Sequence, residues 1–193
     1  AGTSDKNQRS MKLLRIVLLT LLIVAAALFG VSFLLPPSVE VEQAVFLKLP
    51  PEEVYPYLNN PMEWQHWSVL NKNNDPSMIH LYGGPMEGKG ARMQWSGDRV
   101  GNGSVVFTES VSPSTIMYRQ TLPDTPFTIH GSFTLAPVSG GTKVVWRQQA
   151  ALKQTPIARL MGMLQKYKMQ QEQEQGLNGL RALLQEKVKR KTA

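Results

Sequence analysis

The chain has 193 residues, no cysteine, 42% apolar residues, and 21 Lys and Arg against 14 Asp and Glu. That length supports one good core and is short for two. Missing thiols exclude disulfides, zinc–cysteine centres, iron–sulfur clusters and thiol catalysis, and four Trp, five Tyr and six Phe in apolar segments exclude a disordered chain. The net charge of +7 sits at the ends: residues 1–36 carry +3, residues 37–155 carry −1 and residues 156–193 carry +5. The middle of the chain therefore lacks the basic, aromatic-interleaved face of a nucleic-acid binder, and nucleic acid is not expected as a partner.

In chain order, residues 1–10 precede Met11-Lys12-Leu13-Leu14, which has the look of a natural start. Those ten residues are expected to be an appended leader or disordered. Residues 11–37 read as a transmembrane anchor. The stretch 16–35 holds twenty residues without a charge, about 30 Å as a helix, which is the thickness of a bilayer's hydrocarbon core. Lys12 and Arg15 precede it, whereas the first basic residue beyond it is Lys48. The positive-inside bias then predicts a single pass through the cytoplasmic (inner) membrane, N-terminus inside and the remainder periplasmic or otherwise extracytoplasmic. A cleaved signal peptide processed at Ala25-Ala26-Ala27 is the rival reading; the apolar run continuing past Ala27 favours an uncleaved anchor.

Pro36-Pro37 ends that helix. Residues 38–49 alternate loosely, with Val39, Val41, Val45 and Leu47 on one side and Glu40 and Glu42 on the other, predicting a strand. Pro50-Pro51-Glu52-Glu53 then starts a short helix, with proline in the first turn and acids near the positive dipole end. Asn59-Asn60-Pro61 stops it, and residues 62–67 predict a second short helix. Strands are expected at 78–82, 91–96, 103–112, 115–121, 127–137 and 142–152, joined by turns rich in Gly, Asn, Asp, Ser and Pro. Connections this short imply an antiparallel meander. Thr155-Pro156 opens a final helix to about Lys187, in which Leu160, Met163, Leu164, Tyr167, Leu177, Leu180 and Leu184 predict one apolar stripe. Its middle, Gln170 to Gln175, is unusually polar. The economical arrangement is an α+β fold: a curved antiparallel sheet of about seven strands wrapped on a long C-terminal helix.

Several stretches sharpen that reading: Pro50-Pro51-Glu52-Glu53-Val54-Tyr55, Trp64-Gln65-His66-Trp67-Ser68, the segment Gly84-Pro85-Met86-Glu87-Gly88-Lys89-Gly90-Ala91, Trp95-Ser96-Gly97, Val100-Gly101-Asn102-Gly103, Gly141-Thr142-Lys143-Val144-Val145-Trp146 and Glu174-Gln175-Gly176-Leu177. In this order they resemble the START-like helix-grip superfamily of polyketide cyclase/dehydrase and lipid-transport proteins. The resemblance covers roughly residues 39–186 and implies a helix-grip domain over 38–188, leaving 189–193 as a basic tail. It also implies an apolar cavity between sheet and helix. Ligands across such domains range from lipids to polyketides and only some members are enzymes, so the resemblance carries fold more than activity.

The alternation that buries Val144 and Trp146 places Met93, Trp95, Ile116, Tyr118, Ile129 and Phe133 on the same inner face. With Leu164, Tyr167 and Gln171 from the last helix, these residues are the candidate lining of a cavity for an apolar small molecule or lipid. The polar turn at Gln171, Glu174 and Gln175 supports a cavity, since a solid core there favours Leu. No catalytic residue, metal site or cofactor is assigned. The glycine run 83–90 nearly spells a P-loop, but Gly90 replaces the Ser or Thr that binds magnesium and a strand follows, so a tight turn is expected. Glu63 and His66 have di-iron spacing without the second copy such centres need. No nucleophile elbow occurs, and Asn102-Gly103-Ser104 reads as a turn rather than a glycosylation site. The expected function is binding of an apolar ligand next to the membrane; a cyclase or dehydratase, and a non-catalytic envelope interaction protein, are the alternatives.

Overall fold

The computed structural model describes residues 2–32, 34, 36–123 and 125–192, with side chains for all of these but 2–10, 28, 32 and 191–192. The chain begins with helix α1 (Gly2–Ser32). Helicity therefore starts upstream of Met11. Within α1 the segment Met11–Val31 is long and apolar enough to cross a membrane, and none of it is buried by the rest of the protein.

A seven-stranded antiparallel sheet follows, made of β1 (Ser38–Leu47), β2 (Ile79–Gly83), β3 (Arg92–Ser96), β4 (Gly103–Val111), β5 (Thr115–Thr121), β6 (Thr128–Val138) and β7 (Gly141–Ala151). Between β1 and β2 stand α2 (Pro51–Asn59), a 3₁₀ turn (Pro61–Glu63) and the one-turn α3 (Trp64–Trp67). Helix α4 (Pro156–Thr192) completes the chain. Strand order is β1-β7-β6-β5-β4-β3-β2. Strands β2 to β7 form the expected meander, and β1 closes on β7 with Ser38 opposite Ala151 and Leu47 opposite Thr142. A bulge at Thr108 breaks the β4–β5 register, adding the twist that curls the sheet.

Local chemistry explains the short helices. Pro51 opens α2, and Glu52 and Glu53 lie in its first turn. The carbonyls at the end of α2, which have no partner within the helix, accept from indoles: Trp64 Nε1 donates to Leu58 O and Trp67 Nε1 to Tyr57 O, each at 3.0 Å. Asp75 fastens the loop after α3 by accepting from Ser77 N and Oγ and from Arg99 N and Val100 N. Those hydrogen bonds, chiefly that of the Ser77 hydroxyl, hold its carboxyl down to about 2.

Helix α4 crosses the concave face of the sheet, and its two halves pack differently. Gly176, Leu177, Leu180 and Leu184 are buried in the main core. Trp67 and Trp146 press within 3.3 and 2.9 Å of where a Gly176 Cβ would stand, and a Cβ on Gly179 would overlap the Trp67 carbonyl. The first half is seated through Ala158, Gly162, Gln165 and Met169 instead. Leu160, Met163, Leu164 and Tyr167 point away from the sheet and are exposed, so the single stripe expected from the sequence is in fact two. The reason is angular: at about 100° per residue, the ten steps from Tyr167 to Leu177 leave the two runs on different faces.

Candidate ligand cleft

Strand alternation brings Met93 and Trp95 of β3, Val105 and Phe107 of β4, Ile116 and Tyr118 of β5, Phe133 of β6 and Val144 and Trp146 of β7 into one buried cluster. Ile129 lies in a second, smaller cluster with Val39, Val41, Phe127 and Met169. Most of the concave side is filled by rings. Trp64 meets Tyr118 edge-on at 5.4 Å and Phe107 at 5.5 Å, Trp67 meets Trp146 edge-on at 5.7 Å, and Phe133 meets Trp146 at 4.9 Å. The indoles that cap α2 are thus the same side chains that occupy much of the space where an apolar cavity is expected.

Over these rings a cleft of about 70 Å³ remains between α4 and the sheet, distinct from a wider open hollow of about 570 Å³ between the end of β1 and the last turns of α4. Trp95 and Trp146 form the cleft's apolar floor with Trp64, and Val69, Leu70, Val100 and Leu122 its rim. Its polar groups are Ser68 after α3, Gln120 of β5, Gln148 of β7, and Gln165, Lys168 and Glu172 of α4. A water takes about 30 Å³ of liquid volume, so the closed cleft holds roughly two, against the several hundred Å³ of ordinary ligand sites.

A buried chain of hydrogen bonds runs beside it. Trp146 Nε1 donates to the Tyr118 hydroxyl at 2.7 Å. Gln148 Nε2 donates to Gln120 Oε1 at 3.4 Å, and Gln173 Nε2 donates to Gln148 Oε1 at 3.1 Å and Val41 O at 3.3 Å. Gln173 Oε1 has no partner among the described residues. Burial pushes the Tyr118 hydroxyl up, against the hydrogen bonds from Trp146 and Gln148. Burial also pushes the Glu172 carboxyl up to about 7, with Lys168 pulling the other way. The cleft therefore offers an apolar floor, amide donors and acceptors, and a carboxyl whose proton exchanges near neutrality.

Of the residues singled out from the sequence, the structure gathers Met93, Trp95, Ile116, Tyr118, Phe133, Val144 and Trp146, but only Trp95 and Trp146 line the cleft. Leu164 and Tyr167 lie on the outward face of α4. Gln171 is exposed as well, and its Nε2 donates to the Tyr167 hydroxyl. The polar residues turned inward are Gln165, Glu172 and Gln173 rather than Gln171, Glu174 and Gln175. Gln120 and Gln148 carried a readable signal: each stands two residues beyond an inward aromatic on its own strand. The α4 set, spaced at 165, 168 and 172, was masked by the neighbouring apolar run.

The other motifs behave as turns and surface pairs. Gly84, Gly88 and Gly90 have positive φ in the β2–β3 connection, and Glu63 and His66 pair with each other at 3.2 Å. Among the described residues no group of His, Asp and Glu has metal-holding geometry.

Residues 38–185 match the family model described as polyketide cyclase / dehydrase and lipid transport. The chain belongs to that family. Solved structures with the same fold include a protein of Chromobacterium violaceum (19% identity, TM-score 0.54, covering 77% of this chain and 97% of that one). A protein of unknown function from Staphylococcus aureus gives 13% identity and TM-score 0.61, covering 79% and 96%. The di-domain ARO/CYC BexL from the BE-7585A biosynthetic pathway gives 15% identity and TM-score 0.57, covering 76% of this chain and 50% of that one. No curated protein matches the chain.

Proposed function

We propose that this member of the polyketide cyclase / dehydrase and lipid transport family is a membrane-anchored module that binds an apolar molecule bearing a polar group. The observation that carries the reading is the cleft itself: Gln120, Gln148, Gln165 and Glu172 face an indole floor where a solid core favours Leu. An amphipathic ligand matches that division, its apolar body on Trp95 and Trp146 and its polar end among the amides. The closed cleft is too small for such a ligand, so binding requires the first half of α4 to move outward. That half is seated through Ala158, Gly162, Gln165 and Met169 rather than by the leucines of the main core.

The anchor in this reading is α1, with Lys12 and Arg15 on the cytoplasmic side and the domain outside the inner membrane. The five residues between Ser32 and Ser38 reach at most about 20 Å, which keeps the cleft beside the lipid in which an apolar ligand dissolves.

The experiment is native mass spectrometry and solvent extraction of the detergent-purified full chain, beside Gln148→Leu. Under this reading an apolar compound is retained by the parent and lost from the variant. A second reading, an interaction module with no small ligand, is favoured by the aromatic packing of the concave side. Absence of any bound compound, together with failure of lipid and isoprenoid extracts to shift the melting transition, selects it and rejects the first.

A further inference from the structure

The first half of α4 carries a second apolar face that the domain does not use. Ile157, Leu160, Met163, Leu164 and Tyr167 are between 49% and 72% exposed. At about 100° per residue they fall within an arc of about 120°, opposite the arc of Ala158, Gly162, Gln165 and Met169 that seats the helix. The stripe ends abruptly: Gln171, Glu174 and Asn178 continue the same line of the helix and are polar. Five large apolar side chains in one exposed row about 15 Å long are unusual for a surface that meets only water.

Charge identifies what meets them. Residues 152–171 contain Lys153, Arg159, Lys166 and Lys168 and no acid, with Glu172 the first. On the helical wheel Arg159 and Lys166 flank the stripe on one side and Lys168 on the other. Apolar row, cationic shoulders and a Tyr at one end describe a helix lying in a headgroup boundary, with the long side chains reaching to phosphates.

Position agrees. Helices α1 and α4 touch, and Ala151 at the end of β7, separated from α4 by four residues, pairs with Ser38 at the start of β1. The row therefore lies at the end of the domain from which the apolar helix departs.

We propose that the outward face of α4 from Ile157 to Tyr167 is a bilayer-docking surface, embedded among anionic headgroups of the outer leaflet beside the point where α1 leaves it. The inference rests on the reading of α1 as an anchor. It also orients the domain: Gln165, Lys168 and Glu172, which line the cleft, sit on the flank of α4 next to the docked row. The cleft mouth then borders lipid, and an apolar ligand passes between leaflet and cleft without crossing water.

The absence of cysteine makes the test direct. Single-cysteine variants Leu160→Cys, Leu164→Cys, Asn178→Cys and, in α1, Leu22→Cys are labelled with an environment-sensitive fluorophore. Each full-length protein is reconstituted in phosphatidylcholine/phosphatidylglycerol vesicles with and without doxyl-labelled lipid. The expected result is blue-shifted, strongly quenched emission at 160 and 164, water-like unquenched emission at 178, and weaker quenching at 160 and 164 when phosphatidylglycerol is omitted. Quenching at 22 without quenching at 160 and 164 overturns the docking surface and leaves the anchor standing. Absence of quenching at 22 removes the anchor and overturns the docking surface with it. A blue shift at 160 and 164 that vanishes as the protein is diluted in lipid means that a second copy covers the row, which also overturns it. Should a label disturb the tryptophan emission of the folded domain, Ile157→Cys and Met163→Cys report on the same face.

Discussion

Replacing Glu172 by Gln isolates the electrostatic character of the cleft. The carboxyl holds its proton to about 7 in the folded chain against 4.5 ordinarily. The folded state thus binds more protons than the unfolded state between those values, and stability falls as pH rises. The contribution is fully present below 4.5 and lost as pH climbs through 7. A separation of about 2.5 units at about 1.4 kcal/mol each sets an upper bound of ~3 kcal/mol; the part-exposed position of Glu172 at the cleft mouth brings the expectation to about 1–3 kcal/mol. The amide is neutral at every pH, so Glu172→Gln and the parent coincide near pH 4.5 and diverge above it, the variant being more stable by that amount at pH 8. All four tryptophans lie in the buried core, so urea denaturation followed by tryptophan emission reads the domain directly. Other titrating groups cancel in the difference between the two proteins. Parallel curves across pH 4.5–8, or a parent that gains on the variant as pH rises, refute the claim that burial governs this carboxyl.

Gly131→Ala places a methyl inside the Tyr118 ring and displaces the hydroxyl that accepts from Trp146; a loss of about 2–4 kcal/mol is expected in the same urea assay. Gly179→Ala runs into the Trp67 carbonyl and lifts α4, at about 1–3 kcal/mol, whereas the exposed Asn178→Ala is neutral within about 0.5 kcal/mol. The Asp75 carboxyl is depressed from 3.8 to about 2, so its contribution is complete above 3.8 and disappears as pH falls through 2. Acid titration of the melting temperature therefore drops in that window for the parent, and Asp75→Ala, already lower at neutral pH, lacks that drop.

The strand pattern was legible because alternation is a local property. From Met93 and Trp95 to Val144 and Trp146, inward residues stand at every second position, and turns of Gly, Asn and Ser fix where each run stops. Helix α4 was legible in extent but not in facing. Leu160, Met163, Leu164 and Tyr167 keep helical spacing as well as Leu177, Leu180 and Leu184 do; spacing alone says that a face is apolar, not what it meets. The filled interior was illegible for a different reason. Trp64 and Trp67 stand outside the sheet in sequence, and their reach over Tyr118, Phe107 and Trp146 depends on α3 being folded back by its indole bonds to α2. Nothing local in Trp64-Gln65-His66-Trp67 encodes that distance.

Helix α4 is continuous over 37 residues, held at its middle by Gln173 and Gly176 and toward Pro156 by the small residues Ala158 and Gly162. Such an element acts as a lever. From Gln173 to Pro156 the arm is about 25 Å, so a bend of about 10° in the helix at Gln173 swings the tip ~4 Å and Gln165 ~2 Å while Leu177, Leu180 and Leu184, beyond the bend, stay in place. Force applied at the far end is geared down at the cleft, so a shallow rise or fall of the Ile157 end sets the gap above Trp95 and Trp146 without unpacking the aromatic interior.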